Sequence, residues 1–582
     1  MKKIKSWTSL TSSTLFAITM LLAGQAQAGK SIYAEMETVQ PVWAANGMVS
    51  SVNNLATDVG VDILKQGGNA IDAAVAVGFA LAVTHPRAGN LGGGGFMVIH
   101  IAAKNEQPAE NVTIDYREMA PSKAYADLYL DIKGNVIPEM SLYHGASSGI
   151  PGSVMGMELA LKTYGTMPLT QVMKPAIKLA EKGFVVSYDL WKSLKNKNDR
   201  LGKWPSSKKI FYDKNGDAIA VGELLVQNDL ARTLKMISKK GSKGFYQGEI
   251  AEKITKSVNQ AGGIFSVKDF ANYRAVIRKP VSNSYRGYRV YSMPPPSSGG
   301  IHLVQILNIL ENADIAQMGH NSAATIHEMV EAMKHAYADR SEYLGDPDFY
   351  DVPTALLTSK AYAKEIYNKI DPNAATPSDN IKPGKLVPYE SDQTTHYSVM
   401  DRWGNAVSTT TTLNSSYGSG LVAEGTGVLM NNEMDDFSSK PGVPNTYGLL
   451  GGEANAIAPG KRPLSAMTPT IVTKDGRPFL ITGTPGGSRI ITTTLQVVMN
   501  VIDHHMNIAE AGAASRIHHQ WYPDEIRIER GLNIDTIRLL EMLGHKISLQ
   551  EAMGSTQSIM KTEQGIFGAS DPRSRNGKAA GY

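Results

Sequence analysis

The sequence has no cysteine among its 582 residues. That absence removes disulfides, thiol nucleophiles and thiolate-held metals from the options. Stability must then come from a large core, which this length permits. Long apolar runs are also lacking: beyond a short N-terminal stretch, none approaches the ~20 residues of a membrane-spanning helix. There is no block of one charge sign. The formal net charge is only +4, and the first 28 residues hold three lysines and no acid, leaving the remainder near +1. A near-neutral chain without a basic block is a poor ligand for nucleic acid or a membrane surface, so neither partner is expected. Apolar content of 42% and charged content of 19% describe an ordinary globular protein.

The short N-terminal stretch has the anatomy of an export signal. Lys2, Lys3 and Lys5 are basic, Leu15 to Ala23 is apolar, and Ala26-Gln27-Ala28 is a small-residue cleavage site. The expected organisation is a signal peptide over 1–28 and an exported, periplasmic protein from Gly29 onward.

Periodicity supplies the elements. Leu55 to Lys65 has helical spacing and ends at Gly67-Gly68, and Ala70 to Val83 is an apolar run long enough for a buried helix. The glycine run Gly92 to Gly95 leads into a strand, Phe96 to Ile101, and Asn111 to Arg117 reads as another. Gly152–Tyr164 and Pro168–Lys182 read as helices, followed by a lysine-rich helical region to about Lys240. Val281 to Met293 is strand-like, and Ile301–Asn312 and Ala323–Tyr343 are helical. Further on, Asn405–Leu413 and Gly427–Asn431 are strands, and Pro469–Thr473 with Phe479–Gly483 form a hairpin about Asp475-Gly476. A helix follows over Ser488–Asp503, then strands at Glu525–Glu529 and Gln557–Lys561. Central strands flanked by helices predict a layered α/β sandwich.

The stretch Gln393 to Met400 is the first candidate for chemistry. A Pro-, Ser- and Asp-rich loop over 371–392 runs directly into alternation that puts Thr394, His396, Ser398 and Met400 on one strand face. Cleavage between Gln393 and Thr394 would give Thr394 both a hydroxyl and a free α-amine. That amine titrates at about 7.7–8.0 and is a suitable base for the hydroxyl. An ordinary edge strand explains the same residues.

Other motifs compete. Gly145-Ala146-Ser147-Ser148-Gly149 matches a serine nucleophile elbow, but Pro151 and Gly152 delay the helix that motif requires. Gly418-Ser419-Gly420 resembles a dinucleotide fingerprint, but Gly425 and Gly427 break the receiving helix. His327, Glu331 and His335 fall at four-residue steps. The zinc-protease pattern needs histidine at 331, so a solvated or hydrogen-bonded helix face is expected, without metal. The pairs His504-His505 and His518-His519 read as structural. Gly486-Gly487 at a helix start offers backbone N–H groups to an anion, as an oxyanion hole or as a plain helix start. Glu433, Asp435 and Asp436 crowd three carboxylates into four residues, as a solvated turn or an ammonium site.

Six stretches in order resemble the γ-glutamyltransferase (γ-glutamyltranspeptidase) family, specifically its bacterial periplasmic members. They are Gly68 to Ala74, Asn90 to Phe96, Asp115 to Glu118, Thr394 to Val399, Asn432 to Ser438 and Pro485 to Thr492. The resemblance covers about 49–582. It implies the αββα sandwich of N-terminal-nucleophile hydrolases and self-cleavage into a large subunit, 29–393, and a small subunit, 394–582, intertwined as one domain. It also implies γ-glutamyl amides such as glutathione as donors, with water, amino acids or peptides as acceptors, and no cofactor or metal. Residue by residue, Thr394 is the nucleophile, Thr412 positions it, and the amides of Gly486 and Gly487 hold the oxyanion. Arg117 and Ser465 take the substrate α-carboxylate; Asn414, Glu433 and Asp436 take its α-ammonium. The stretch 441–452 matches a lid loop with Tyr447 as its gate. One departure stands out: the family usually has Leu-Ser-Ser-Met where this chain has Leu464-Ser465-Ala466-Met467. An N-terminal-threonine acylase for glutaryl-type amides shares the nucleophile but needs no ammonium site. A periplasmic amino-acid or peptide binding protein would have no use for self-cleavage.

Overall fold

The strand Thr395–Met400 pairs antiparallel with Ala406–Thr412 on one side and Met48–Ser51 on the other. Its alternation decides what each face touches. Tyr397 and Val399 join a helical apolar layer, while Met400 meets Ile471, Ile481 and Ile559 of a second sheet. The structure, a computed structural model, describes residues 39–104, 107–381, 394–438 and 452–582.

The first sheet has seven strands in the order Lys578–Gly581, Met48–Ser51, Thr395–Met400, Ala406–Thr412, Gly94–Ile101, Glu110–Tyr116, Val276–Arg278. The second also has seven: Val42–Ala44, Gly565–Ser570, Gln557–Thr562, Arg477–Thr482, Thr470–Lys474, Tyr288–Ser292, Val281–Tyr285. Both mix strands from before and after Thr394. Polar contacts also join the two inner faces: Ser398 Oγ donates to Gln557 O at 2.8 Å, and Ser408 Oγ to Thr482 O at 3.0 Å.

Helices cover both outer faces. On the first lies Ala70–Thr84, buried at every residue because its sequence has no polar stripe. Asn69 and Asp72 close its N-terminus as a reciprocal capping box. On the second, Gly299–Leu310, Ala323–Tyr343 and Arg489–Ile502 pack through Leu303, Val330 and Leu495 against Val290, Val472 and Leu480. The result is the four-layer αββα sandwich expected from the resemblance.

Three local expectations change. Val281 to Met293 is a hairpin rather than one strand, because Arg286 and Gly287 both take positive φ, +49° and +83°, and turn the chain. The lysine-rich region is a series of short helices interrupted by Phe184–Val185 pairing with Leu224–Leu225. Of Gly427–Asn431 only Val428–Leu429 forms a strand, since glycines at 425 and 427 with φ of +69° and +70° hold the chain in a turn before it.

Candidate active site

Thr394 stands immediately before its strand, buried at the rim between the sheets. Its hydroxyl donates to Thr412 Oγ1 at 3.4 Å. Thr412 ends the neighbouring strand, and its position is fixed from two sides. The Asn414 N–H donates to Thr412 Oγ1 at 2.8 Å, and Asn90 Nδ2 donates to Thr412 O at 2.8 Å. Asn90 is held in turn by Ser153 Oγ and the Gly93 N–H, both donating to its Oδ1. The glycine run before Phe96 thus lets the chain approach the end of the Thr412 strand closely.

His396, on the same strand face, is no base for this hydroxyl. It lies 2.8 Å from Thr410 Oγ1 and 3.2 Å from Ser398 Oγ, and burial pushes its imidazole down to about 3. A histidine that stays neutral between two hydroxyls is a structural group.

Gly486 and Gly487 precede the helix Arg489–Ile502 with φ of +136° and +56°, values that an L side chain adopts only at a cost of about 1–2 kcal/mol. Gly487 lines the same cleft as Thr394, and the helix start behind it favours negative charge.

The cleft's far wall is a buried ion cluster. Arg117, at the end of the Glu110–Tyr116 strand, is fully buried and donates through Nη1 to Glu433 and through Nη2 to Asp436 at 2.5 Å. Its Nε donates to Pro463 O at 3.2 Å. Glu118 adds a third carboxylate 3.5 Å from Nη1. Burial raises all three acids, and the Arg117 charge opposes that rise; Glu118 is held at about 7. Asp436 is the most open of the three, with 13% of its side chain exposed, so it is the acid a ligand meets first. Ser465 and Ala466 form part of the same wall. Ser465 Oγ accepts from the Met467 N–H at 3.1 Å, and its own proton has no acceptor among the described residues.

The structure therefore brings Arg117, Thr394, Thr412, Asn414, Glu433, Asp436, Ser465 and Gly487 to one cleft. Asp435 is separated from the other two acids: it accepts from Ser141 Oγ at 2.6 Å on the opposite side of its short helical turn. Gln393 and Tyr447 lie outside the described residues. Arg340, which no local pattern marked, also lines the cleft. Its Nε donates to Ser298 Oγ at 2.9 Å, and burial pulls its guanidinium down to about 10 against the pull of Tyr337 and Asp436. It arrives from the last turn of the Ala323–Tyr343 helix, with no motif around it. Glu118 and Asn90 sat inside quoted motifs, yet only the fold shows what they touch.

The competing motifs find structural roles. Gly145–Ser147 is a single turn of 3-10 helix and Ser148 Oγ donates to Asn431 O at 2.6 Å, with the next helix only at Ser153. No helix follows Gly418-Ser419-Gly420. His518 is bonded to Thr492 Oγ1 and Gln520 Oε1, His519 lies 3.3 Å from Asp524, and His504 packs edge-on to His320.

A layered αββα sandwich with a threonine at the head of an inner strand, facing a helix N-terminus, is the architecture of N-terminal-nucleophile hydrolases. Two solved structures share it: cephalosporin acylase from Bacillus halodurans, 30% identical over 94% of this chain and 98% of its own, with a TM-score of 0.80, and Helicobacter pylori gamma-glutamyltranspeptidase, 49% identical over 60% of this chain and 97% of that chain, with a TM-score of 0.56. The chain belongs to the gamma-glutamyltranspeptidase family, whose profile matches residues 56–582. Among its relatives is the glutathione hydrolase proenzyme of Escherichia coli (strain K12), 58% identical over 550 residues that cover 94% of each chain.

Proposed function

We propose that this protein is a self-processing γ-glutamyltransferase and glutathione hydrolase whose nucleophile is Thr394. The observation that carries the reading is a buried Arg117–Glu433–Asp436 cluster lining the same cleft as the Thr394 hydroxyl. A γ-glutamyl group ends in an α-carboxylate and an α-ammonium, and that cluster offers one complement to each. Arg117 and the free proton of Ser465 receive the carboxylate, with the guanidinium suited to bind it as a fork. Glu433, Asp436 and Asn414 receive the ammonium. The arriving zwitterion exchanges partners with an ion pair already formed, so neither pole is left buried without a counter-charge.

Processing comes first. Thr394 Oγ attacks the Gln393 carbonyl, the Gln393–Thr394 C–N bond breaks as the acyl group moves to oxygen, and water hydrolyses the ester. This releases Gln393 as a carboxylate and Thr394 as an N-terminal residue. The new α-amine then takes the Thr394 hydroxyl proton as that oxygen attacks a γ-glutamyl carbonyl. The amides of Gly486 and Gly487 stabilise the oxyanion. The C–N bond breaks, the leaving amine receives the proton, and γ-glutamyl-Thr394 passes to water or to an acceptor amine. Thr412 holds the hydroxyl in line through both rounds.

The reading extends to removal of residues 1–28 as an export signal, a periplasmic location, and a large subunit, 29–393, paired with a small one, 394–582. The test is a denaturing gel of incubated protein with N-terminal sequencing, followed by assay on γ-glutamyl and glutaryl anilides. A fragment beginning Thr-Thr-His-Tyr and turnover confined to the γ-glutamyl anilide are expected. A single uncut chain rejects the nucleophile, and equal turnover of both anilides rejects the ammonium site in favour of a glutaryl acylase.

A further inference from the structure

Of the solvated or hydrogen-bonded face expected for His327, Glu331 and His335 on the Ala323–Tyr343 helix, the structure shows His327 and Glu331 hydrogen-bonded. His327 and Glu331 are buried, and their third partner is His545, which follows the Ile534–Met542 helix, rather than His335. One nitrogen of each imidazole and one carboxylate oxygen of Glu331 lie within 4.8 Å of one another.

The surrounding bonds already assign the atoms. His327 Nε2 lies 2.8 Å from the Asp371 carbonyl, which can only accept, so that nitrogen carries the proton and Nδ1 presents a lone pair. That lone pair faces His545 Nε2 at 2.8 Å. Glu331 Oε1 is occupied by Lys334 Nζ at 2.9 Å and the Thr376 N–H at 3.2 Å, whereas its Oε2 is buried with no hydrogen-bond partner among the described residues. A buried, unpartnered carboxylate oxygen is costly unless something meets it. A carbonyl-anchored histidine beside a carboxylate anchored on one oxygen is the outer-shell arrangement that orients metal ligands.

We propose that His327 Nδ1, His545 Nε2 and Glu331 form a binding site for a single divalent cation of the zinc type. Two imidazoles and a carboxylate suit zinc, and zinc sites of this kind leave a fourth position to water. An all-oxygen set would be needed for magnesium or calcium. Tetrahedral zinc sets its nitrogen ligands roughly 3.3 Å apart, so the two rings separate by about half an ångström. The proton on His545 Nε2 moves to its own Nδ1, and no net charge is lost from the rings. Lys334 opposes the cation, but Glu331 at 2.9 Å and Asp524 at 3.8 Å from its Nζ balance it, and the buried Glu328 carboxyl follows His327 on the helix. A cleft lined by Lys334, Thr376, His519, Asp524 and His545 adjoins the cluster and supplies access for the ion and its water.

The ligands come from opposite sides of Thr394. On the processing reading above, the bound ion clamps the two products of self-cleavage together, a task for which this cysteine-free chain has no disulfide.

The test strips the purified full chain with chelator, then titrates it with CoCl2 and, separately, ZnCl2. One equivalent of Co2+ giving the intense visible bands of four-coordinate cobalt is expected, as is a zinc-dependent rise in the urea midpoint. Both are expected to vanish in His545→Gln and in Glu331→Gln, while Thr-Thr-His-Tyr fragment formation persists. Equal cobalt spectra in wild type and variants overturn the site, as does a wild-type urea midpoint indifferent to zinc. The second readout needs no variant to fold, and fragment formation reports the processing reading separately.

Discussion

The Thr394 hydroxyl donates to Thr412 Oγ1 just ahead of the Thr395–Thr411 rung of two antiparallel strands, and Thr412 accepts a second bond from the Asn414 N–H. On the proposed mechanism the nucleophile is thereby aimed by a residue that is itself fixed by backbone. Replacing Thr412 with valine keeps the shape and removes the acceptor. Loss of a bond of about 1–3 kcal/mol is expected to lower kcat by roughly 10- to 100-fold with little change in donor KM. Thr412→Ser is expected to retain most activity. Steady-state kinetics on a γ-glutamyl anilide, with fragment formation followed on the same samples, checks both.

On the proposed mechanism, Thr394→Ala removes the attacking oxygen in processing and in turnover alike. The variant is expected to remain one chain on a denaturing gel and to lose at least about three orders of magnitude in kcat/KM. Thr394→Ser is expected to be cut. Cleavage of the alanine variant at the same bond would place the nucleophile elsewhere.

Asp436→Asn leaves Arg117 with one fewer counter-charge and the substrate ammonium with one fewer partner. Breaking such a buried pair costs about 3 kcal/mol or more, so donor kcat/KM is expected to fall roughly 100-fold or further. The decisive comparison is a glutaryl amide, which has no ammonium: its turnover is expected to change far less. An equal loss on both amides would assign Asp436 to structure alone.

Glu118 is buried beside two other acids, and burial holds its carboxyl at about 7 despite Arg117. The native state therefore keeps a proton that the unfolded chain releases near 4.5. Stability from this group is fully present below about pH 4.5 and is lost as pH rises through about 7. Melting temperature is expected to decline across that window for wild type and to decline less for Glu118→Gln. Parallel curves for the two proteins would remove Glu118 as the source.

Ala466 lines the cleft beside Ser465, at the position where the resemblance implies a second serine. Ala466→Ser is expected to lower donor KM several-fold, through a hydroxyl bond to the substrate carboxylate of about 1–3 kcal/mol. Measuring KM for one donor in both proteins decides it.

The sequence by itself determined the elements and the chemistry available to them. Apolar periodicity marked Ala70–Thr84 and Ala323–Tyr343, alternation marked the strand after Thr394, and paired glycines marked the start of the Arg489–Ile502 helix. These are readable because residues within a turn or a strand are neighbours whatever the rest of the chain does. Local spacing also grouped Asp435 with Glu433 and Asp436, and His335 with His327 and Glu331. In both cases only tertiary packing decided the membership. Asp435 turned away to Ser141, and His545 replaced His335 across more than two hundred residues of chain. Arg340 entered the cleft unannounced because a basic residue in the last turn of a helix reads locally as an ordinary partner of the helix dipole. The convergence of Arg117, Asp436 and Ser465 on Thr394 likewise depends on two sheets packing face to face, and sequence order does not encode that distance.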